Sequence, residues 1–424
     1  MSSQTKGRSG PRFGEFVALM AMLISLVALS IDAVLPALPA IGQELGVARA
    51  NDNQLVISLL FLGLAFGQTL WGPLSDSTGR KPAVYLGLGM FIAGCVLSIL
   101  ARSFAVMLLG RFLQGAGVAG PRTITVAMVR DQYQGRDMAR VMSFVMAVFI
   151  LVPVVAPAIG QGVLAIADWR AIFAGYLGIA VIAMVWFALR QPETLLEDRR
   201  IPLSGRRLGL ALGEVCRSRA GLGYTVAAGL VFGAFLGYLN SAQQILQEQY
   251  GLGALFPLYF AILALAIGGA SVSNARLVMH HGMLRLATRS LWIICALSTV
   301  FLAVAWGFAG HPPLWLLMSY LMLAFFAVGI LFGNLNALAM EPLGHVAGTG
   351  AAVVGSLSTL ISLLLGTAIG QSYNGTIFPL VGGFAVLSAA SAMVVRWAAG
   401  GGHQEKAVES LAAADRRAAP EVRS

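Results

Sequence analysis

The sequence has few charged residues. Only 11% of its 424 residues are Asp, Glu, Lys or Arg, compared with about a quarter in an ordinary soluble domain. Hydrophobic residues make up 58% of the chain. A water-exposed surface needs more charge than this, so the composition excludes a set of soluble domains and indicates a chain that lies in a lipid bilayer.

Cysteine and histidine are also scarce. Cys95, Cys216 and Cys295 are far apart, and the five histidines show no ligand spacing. These patterns exclude a disulfide framework and a zinc site. The sequence lacks a Walker A string, which argues against ATP-driven transport, and it shows no catalytic constellation. We therefore predict no metal, no cofactor and no enzymatic activity.

Long apolar runs recur along the chain, each long enough to cross a bilayer as a helix. We predict an all-α membrane protein with twelve transmembrane helices. The predicted spans lie near residues 15–37, 53–73, 82–101, 105–128, 139–164, 168–190, 221–244, 253–274, 286–308, 314–338, 346–369 and 375–398. Most connections are short, so neighbouring helices are antiparallel.

One long, charged connection divides the chain into two sets of six spans. The predicted organisation is an N-terminus at 1–13, a six-helix bundle at 14–190, a solvated linker at 191–220, a second six-helix bundle at 221–398 and a disordered tail at 399–424. The tail is polar and rich in alanine, and it has no apolar face.

The basic residues are distributed unequally between the two sides of the predicted membrane. One side receives only Arg49, Arg102 and Arg170, and the other receives nearly all the remaining lysines and arginines. Cytoplasmic loops carry this excess, so we predict a multi-pass protein of the cell inner membrane with both termini and the linker in the cytoplasm. The net charge of +10 is dispersed among short loops, which argues against a nucleic-acid partner.

The turn between the second and third spans carries a G-x-L-x-D-x-x-G-R-K string. Its defining residues are Gly72, Leu74, Asp76, Gly79, Arg80 and Lys81. Gly72 is expected to allow close helix contact, Gly79 to adopt a positive φ, and Asp76 to accept hydrogen bonds from a helix N-terminus or to pair with an arginine. The string resembles motif A of the major facilitator superfamily. That resemblance implies two pseudo-symmetric six-helix bundles and a cytoplasmic latch that holds the outward-open state.

Two further strings extend the resemblance. Arg111 to Gly117 is similar to motif B, which the superfamily links to proton coupling. The fifth span resembles the antiporter motif C at Pro153, Ala156, Pro157 and Gly160. The two prolines predict a bent span, because each removes a helix hydrogen bond. The variant A-P-x-x-G is similar to that of the Bcr/CflA branch of drug:proton antiporters, which is named for bicyclomycin and chloramphenicol resistance.

Three charged residues fall well inside predicted spans: Asp32, Arg111 and Arg122. Each costs about 2.5 to 3.5 kcal/mol at mid-bilayer, so each needs a partner or an aqueous cavity. Asp32 and Arg111 lie at similar depth, and we predict that Asp32 faces Arg111 and binds the coupling proton, with Arg122 as a further coupling residue. The alternatives are a static pair that joins two spans and, for Arg122, a side chain that reaches cytoplasmic water.

A substrate cavity is expected between the two halves near mid-membrane. The candidate lining residues are Gln68, Gln114, Tyr238, Asn240, Gln243, Asn334 and Asn336. Such polar side chains also act as hydrogen-bond partners between helices, and the sequence leaves both roles open.

The function predicted from these features is proton-coupled efflux of drug-like or amphipathic small molecules by alternating access. The predicted partners are a small-molecule substrate, protons and membrane lipid, and the transporter is expected to be a monomer. Two other functions remain open: export or import of one physiological metabolite on the same fold, and a membrane-embedded enzyme or sensor.

Overall fold

The computed structural model describes residues 11–418, and this part of the chain is helical, without strands. The helices are α1 (Phe13–Asp32), α2 (Leu38–Glu44), α3 (Leu55–Thr78), α4 (Arg80–Ile99), α5 (Phe104–Gln132), α6 (Gly135–Leu164), α7 (Arg170–Arg190), α8 (Gly205–Arg217), α9 (Arg219–Gln243), α10 (Phe256–His281), α11 (Met283–Gly307), α12 (Leu314–Met340), α13 (Ala347–Gln371) and α14 (Phe378–Ala418). Apart from the short helices α2 and α8, each is long enough to span a bilayer.

Within residues 11–418, eleven helices are long and apolar enough to cross a membrane. The remaining long helix, α5, has 29 residues and a lower mean hydropathy because it carries Arg111, Arg122 and Arg130. It packs along α3 and α4 inside the bundle. The predicted set of twelve spans is therefore confirmed as twelve long helices of a multi-pass membrane protein.

The helices form two halves, α1–α7 and α9–α14. The halves meet where α3 packs against α13 and α6 packs against α10. Small residues allow the close contacts inside each half. At Gly115 of α5, for example, a Cβ atom would lie 1.9 Å from the carbonyl oxygen of Leu60 on α3, so only glycine fits there.

Because successive long helices are antiparallel, the bundle has two faces. The N-terminal face holds the start of α1, the α3–α4 turn and α8. The opposite face holds α2 and the connections α9–α10 and α13–α14. These two names are used below.

The first predicted span, 15–37, is not a single helix. Helix α1 ends at Asp32, a 3₁₀ turn follows at Leu35–Ala37, and α2 begins at Leu38. Pro36 and Pro39 lack the N–H group that a continuing helix would need. The break places Asp32 at the end of a helix, within the bundle.

The 191–220 linker is more ordered than the predicted solvated segment. Its helix α8 packs against α9 and α13, and Ala211 and Val215 are buried. Residues four apart lie on the same side of a helix, which gives α8 an apolar face. The linker therefore contains a docked helix that the sequence prediction did not include.

The predicted disordered tail, 399–424, also differs. Helix α14 continues to Ala418, since alanine, glutamate, lysine and leucine are strong helix formers and neither glycine nor proline follows Gly402 within the helix. Residues 419–424 lie outside the described part of the chain, as do residues 1–10 of the predicted N-terminal segment.

Candidate functional site

Asp32 is the last residue of α1, and it is buried within the bundle. Its side chain is 4% exposed and makes no hydrogen bond or ion pair to any residue in the described range. Helix α6 packs closely against the end of α1, since a Cβ atom at Gly160 would lie 1.9 Å from the carbonyl oxygen of Ala33. An isolated buried charge is costly, so this carboxyl group is placed where its protonation depends on its surroundings.

Two tyrosines share the surroundings of Asp32. The hydroxyl groups of Tyr176 on α7 and Tyr238 on α9 are both buried, and neither has a hydrogen-bond partner within residues 11–418. Each phenol lies within electrostatic range of the Asp32 carboxyl group. Since α7 and α9 belong to different halves, this acid–phenol cluster spans the boundary between them.

Arg111 is fully buried and donates three hydrogen bonds. Its acceptors are the Ser30 carbonyl at 2.8 Å, the Val56 carbonyl at 2.9 Å and Oε1 of Gln114 at 2.6 Å. Ser30 lies in the last turn of α1, where carbonyl groups lose their intrahelical partners. Arg111 therefore provides a hydrogen-bond donor for a carbonyl group at the C-terminal end of α1.

The predicted ion pair between Asp32 and Arg111 does not form in this structure. The Arg111 guanidinium group instead uses its N–H groups on the carbonyls of Ser30 and Val56 and on the side chain of Gln114. Tyr176 lies within electrostatic range of both Asp32 and Arg111.

Arg122 lies eleven residues after Arg111 on α5, which places both side chains on the same side of the helix. Arg122 is exposed, and within the described range it has no hydrogen bond or ion pair. The structure therefore does not bring it into the Asp32 cluster, and its exposure fits the alternative in which it reaches water.

Two of the predicted substrate-lining residues instead join helices within one half. Gln114 is fully buried, accepts from Arg111 and donates to Ser98 Oγ at 2.9 Å. Asn334 on α12 donates to Asn274 on α10 at 2.9 Å. Their polar groups bind neighbouring helices, which is one of the two roles that the sequence left open, and their part in lining a cavity stays a prediction.

Two other candidates join the halves. Gln68 donates to Thr359 Oγ1 at 3.4 Å, and Asn240 donates to Ser58 Oγ at 3.4 Å. The side-chain oxygen of Asn240 is buried and has no partner among the described residues. Gln68 and Asn240 therefore lie at the boundary between the halves, where a substrate cavity is expected.

The last two polar candidates make only local contacts. Gln243 donates to Glu248, within the π-helical turn that follows α9. Asn336 is exposed and donates to the Phe332 carbonyl of its own helix. Neither side chain points to a ligand.

Aromatic rings surround Tyr238. The ring of Phe325 lies 4.7 Å from that of Tyr238, and the ring of Phe260 lies at 6.0 Å. Across the boundary, Phe61 of α3 contacts Phe232 of α9 at 5.9 Å. The hydroxyl of Tyr238 is thus a polar group in an apolar wall, an arrangement that suits an amphipathic ligand.

Amide side chains close the opposite face. Asn51 donates to the carbonyl groups of Gln371 at 3.0 Å and Tyr373 at 2.8 Å, and Gln371 donates back to the Asn51 carbonyl at 2.8 Å. Gln54 donates to Gln244, which in turn donates to Asn51 at 2.8 Å. We call these five residues the amide gate, and its hydrogen bonds hold the two halves together at this end.

The turn between α3 and α4 has the geometry that its sequence predicted. Gly79 adopts a φ of 103°, a region that favours glycine. Arg80 pairs with Asp76 and with Asp131 on α5, at 2.9 Å for the latter, and donates to Ser75 at 2.9 Å. Asp76 therefore pairs with an arginine, which was one of its two predicted roles.

The helix N-terminus at this turn is capped by another acid, Glu193 of the linker. Its carboxylate accepts hydrogen bonds from the backbone N–H groups of Arg80 and Lys81, each at 2.9 Å. The Lys81 ammonium lies over the ring of Tyr85 at 5.9 Å. This role of Glu193 was missed because the residue is more than a hundred positions away in sequence.

The other residues of the turn have simpler roles. Leu74 packs against the apolar core. A Cβ atom at Gly72 would meet nothing within 4 Å, so the prediction that Gly72 permits a close helix contact was wrong. The nearby close contact is made one turn earlier, at Gly67, where a Cβ atom would lie 2.5 Å from the Ala116 carbonyl oxygen.

Pro153 and Pro157 lie inside α6, which continues through both of them from Gly135 to Leu164. Ala156 is fully buried, and Gly160 makes the contact with Ala33 described above. The motif therefore positions α6 beside the end of α1, and the bend expected from its prolines stays a prediction.

The fold and these sites define a membrane transporter, and comparison with known families agrees. The family model of the Major Facilitator Superfamily matches residues 20–367. The chain belongs to this superfamily, and it is a transporter rather than an enzyme.

Its relatives indicate a branch of the superfamily. A chloramphenicol resistance protein of Pseudomonas aeruginosa is 31% identical over 82% of this chain and 84% of its own. A bicyclomycin resistance protein homolog of Haemophilus influenzae is 28% identical, with 86% and 91% covered. An uncharacterised MFS-type transporter of Bacillus subtilis, YdgK, is 29% identical, with 83% and 87% covered. The first two agree with the Bcr/CflA branch that the motifs indicated.

Two solved structures share the fold. The xylose transporter XylE of E. coli, in a partially occluded inward-open conformation, has a TM-score of 0.70 at 12% identity, covering 90% of this chain and 98% of that one. The human organic anion transporter MFSD10 has a TM-score of 0.67 at 19% identity, covering 92% and 100%. At these identities, the likeness concerns the fold alone.

Proposed function

We propose that this protein exports drug-like or amphipathic small molecules across a bacterial inner membrane in exchange for protons, working as a monomer by alternating access. The observation that carries the proposal is the buried, unpartnered carboxyl group of Asp32 beside the phenols of Tyr176 and Tyr238 at the boundary between the halves. The names of the bicyclomycin and chloramphenicol relatives support a drug-like substrate.

In the proposed mechanism, Asp32 binds a proton when its surroundings are closed and dry. When the halves separate, entry of water and binding of a substrate change the surroundings of the carboxyl group and favour its charged form, so it releases that proton. The phenols of Tyr176 and Tyr238 lie within electrostatic range of this carboxyl group, so their polar hydroxyl groups influence its charged form. Because the cluster belongs to both halves, its protonation and the relative position of the halves depend on one another.

The N-terminal face is proposed to be cytoplasmic, on the basis of its excess of lysine and arginine. The amide gate closes the opposite face, so the conformation is proposed to be closed to the periplasm. In this conformation Arg80 is satisfied within its own half by Asp76 and Asp131. The turn is proposed to engage the other half when the cytoplasmic face closes, which is the role that motif A implies.

The test uses everted membrane vesicles with an imposed proton gradient. Addition of a transported compound from a panel that includes bicyclomycin and chloramphenicol is expected to collapse the gradient in wild-type vesicles and in the Asp137→Asn control. Asp137 is an exposed carboxylate at the start of α6. Asp32→Asn is expected to abolish the collapse at equal protein insertion, and undiminished collapse would refute the proton role.

The same panel separates drug export from the transport of one metabolite. A transporter of drug-like compounds is expected to respond to several chemically unrelated members. A response confined to a single physiological metabolite would instead support a dedicated carrier on the same fold.

A further inference from the structure

A cavity lies at the side of the bundle, near the N-terminal face. Its volume is about 520 Å³, within the roughly 300 to 1,000 Å³ typical of small-molecule sites. Both halves and the linker contribute to its walls. We call it the linker groove, defined by Leu62, Phe66 and Leu70 of α3, Leu360 of α13, and Leu203 and Leu208 of the linker.

The walls of the linker groove suit a hydrocarbon chain. Two hydroxyl groups in the wall are already occupied, since Ser356 and Thr69 both donate to the Ala65 carbonyl, at 2.7 and 3.4 Å. Some leucines of the wall leave apolar surface uncovered, and Leu203, for example, is 54% exposed. A polar ligand would find few free partners inside, whereas an apolar chain would cover this surface.

We define the mouth of the linker groove by two basic residues that adjoin its lining residues along the chain. Arg206 and Arg207 lie in the first turn of α8, directly after the groove residues Ser204 and Gly205. Both arginines are exposed, and neither has an ion pair or hydrogen bond to a residue between 11 and 418. The Ser204 side chain makes no capping bond to α8, which leaves the positive end of the helix available as well.

From this combination of an apolar groove and a free basic mouth, we propose that the linker groove binds one anionic phospholipid. One acyl chain lies along α3 and α13, and the phosphate lies at the Arg206 and Arg207 guanidinium groups. The free arginines favour an anionic headgroup over a zwitterionic one, because the choline of the latter would bring a positive charge to the same place.

The position of the groove gives the lipid a consequence for transport. The walls from α3 and α13 belong to different halves and meet beside the Ala65–Ser356 hydrogen bond. A rocking motion would change the distance between these walls. A bound acyl chain is therefore expected to have a higher affinity for the conformation in which the two walls are joined. This difference in affinity stabilises that conformation. This consequence rests on the proposed alternating access, whereas the lipid site itself does not.

The binding test titrates the purified full-length protein with phosphatidylglycerol or with phosphatidylcholine of the same acyl chains, and counts bound lipids by native mass spectrometry. Phosphatidylglycerol is expected to saturate one site first. The double substitution Arg206→Gln/Arg207→Gln is expected to weaken that site about thirtyfold, given the attraction of two basic residues to an anionic lipid. The control Arg285→Gln/Arg289→Gln removes two exposed arginines from the same face and is expected to leave the site intact.

A second variant tests the groove itself. Leu360→Trp fills it from an exposed position of α13 and is expected to remove the first lipid while the protein still elutes as a monodisperse peak. Equal binding of the two lipids, or equal losses in the two arginine double variants, would overturn the proposal. Retention of the first lipid at the wild-type level in Leu360→Trp would also overturn it, because the groove would then not hold the lipid. The lipid comparison, the two arginine double variants and Leu360→Trp do not depend on transport, so their results are independent of the proton proposal.

Discussion

The guanidinium group of Arg111 binds the carbonyl oxygen of Ser30 at 2.8 Å and leaves Asp32, two residues further along the chain, without a counter-ion. An arginine that neutralised Asp32 would hold it permanently charged. With the arginine directed to backbone carbonyl groups, the acid is free to gain and lose a proton. The arginine and the acid thus have separate tasks, one structural and one in coupling.

The structural task of Arg111 predicts a loss of stability on substitution. Arg111→Leu leaves the Ser30 and Val56 carbonyl groups and the Gln114 side chain without their donor, and each buried unsatisfied group costs about 1 to 3 kcal/mol. We expect a clearly lower unfolding temperature in detergent. The control Arg102→Leu removes an exposed arginine of the α4–α5 connection, without a partner in the described chain, and is expected to change stability by no more than about 0.5 kcal/mol. Equal effects of the two substitutions would contradict the assignment.

The phenols beside Asp32 are expected to affect proton coupling rather than stability. Tyr238→Phe removes a hydroxyl group that has no partner within the described residues, so the unfolding temperature is expected to stay the same or to rise slightly. Proton-driven efflux in vesicles is expected to fall, because the Asp32 carboxyl group loses a polar group within its electrostatic range. The matched control is Tyr320→Phe. It removes a hydroxyl group that forms a 2.8 Å hydrogen bond with Ser298. It is expected to lower stability rather than coupling.

The amide gate predicts a shift between conformations. Gln54→Ala removes the bonds to Gln244 and to the Gly370 carbonyl, each worth about 0.5 to 1.5 kcal/mol. We expect the open population of the opposite face to rise about tenfold. Spin labels at Arg49→Cys and Asn374→Cys, in a background without native cysteines, would report the separation of the halves. The control Gln43→Ala changes an exposed amide on the same face, and an equal shift there would contradict the role of the gate.

The connections at the opposite face predict a pH dependence of stability. Burial raises the pKa of Tyr250 to about 12 from an ordinary value of 10.0, and its hydroxyl donates to the Pro312 carbonyl at 2.6 Å. The folded state holds this proton more tightly than the unfolded state, so its contribution to stability is complete below about pH 10 and is lost as the pH rises towards 12.

Tyr250→Phe tests this dependence. Thermal unfolding of the wild type is expected to weaken between pH 10 and pH 12, and the variant is expected to weaken less over that range. Burial also raises the pKa of Tyr373 to about 12, so part of the dependence remains in the single variant. An identical pH profile in the wild type and in Tyr250→Phe would exclude Tyr250 as a source.

The sequence predicted local features well, because their causes are local. The hydropathy pattern indicated the spans, and the positive φ of Gly79 followed from its place in a tight turn. The end of α1 at Asp32 was missed, although Pro36 and Pro39 provided the signal. Long apolar runs hide such breaks, since hydropathy does not register the loss of N–H groups.

Contacts between distant residues could not be predicted in the same way. Glu193 caps α4, and Gln114 holds Arg111, through geometry that only the folded chain provides. Tyr176 carried a weak signal, as a phenol in an apolar span that needs a partner for its hydroxyl group. Its proximity to both Asp32 and Arg111 depends on how α7 packs, which no spacing along the chain indicates.

The most direct test of the central claim measures proton release from the purified protein in weakly buffered detergent when a transported compound is added. The account predicts that wild-type protein releases protons, and that Asp32→Asn binds the compound with no release. Proton release from Asp32→Asn equal to that of the wild type would contradict the assignment of Asp32 as the proton-binding group.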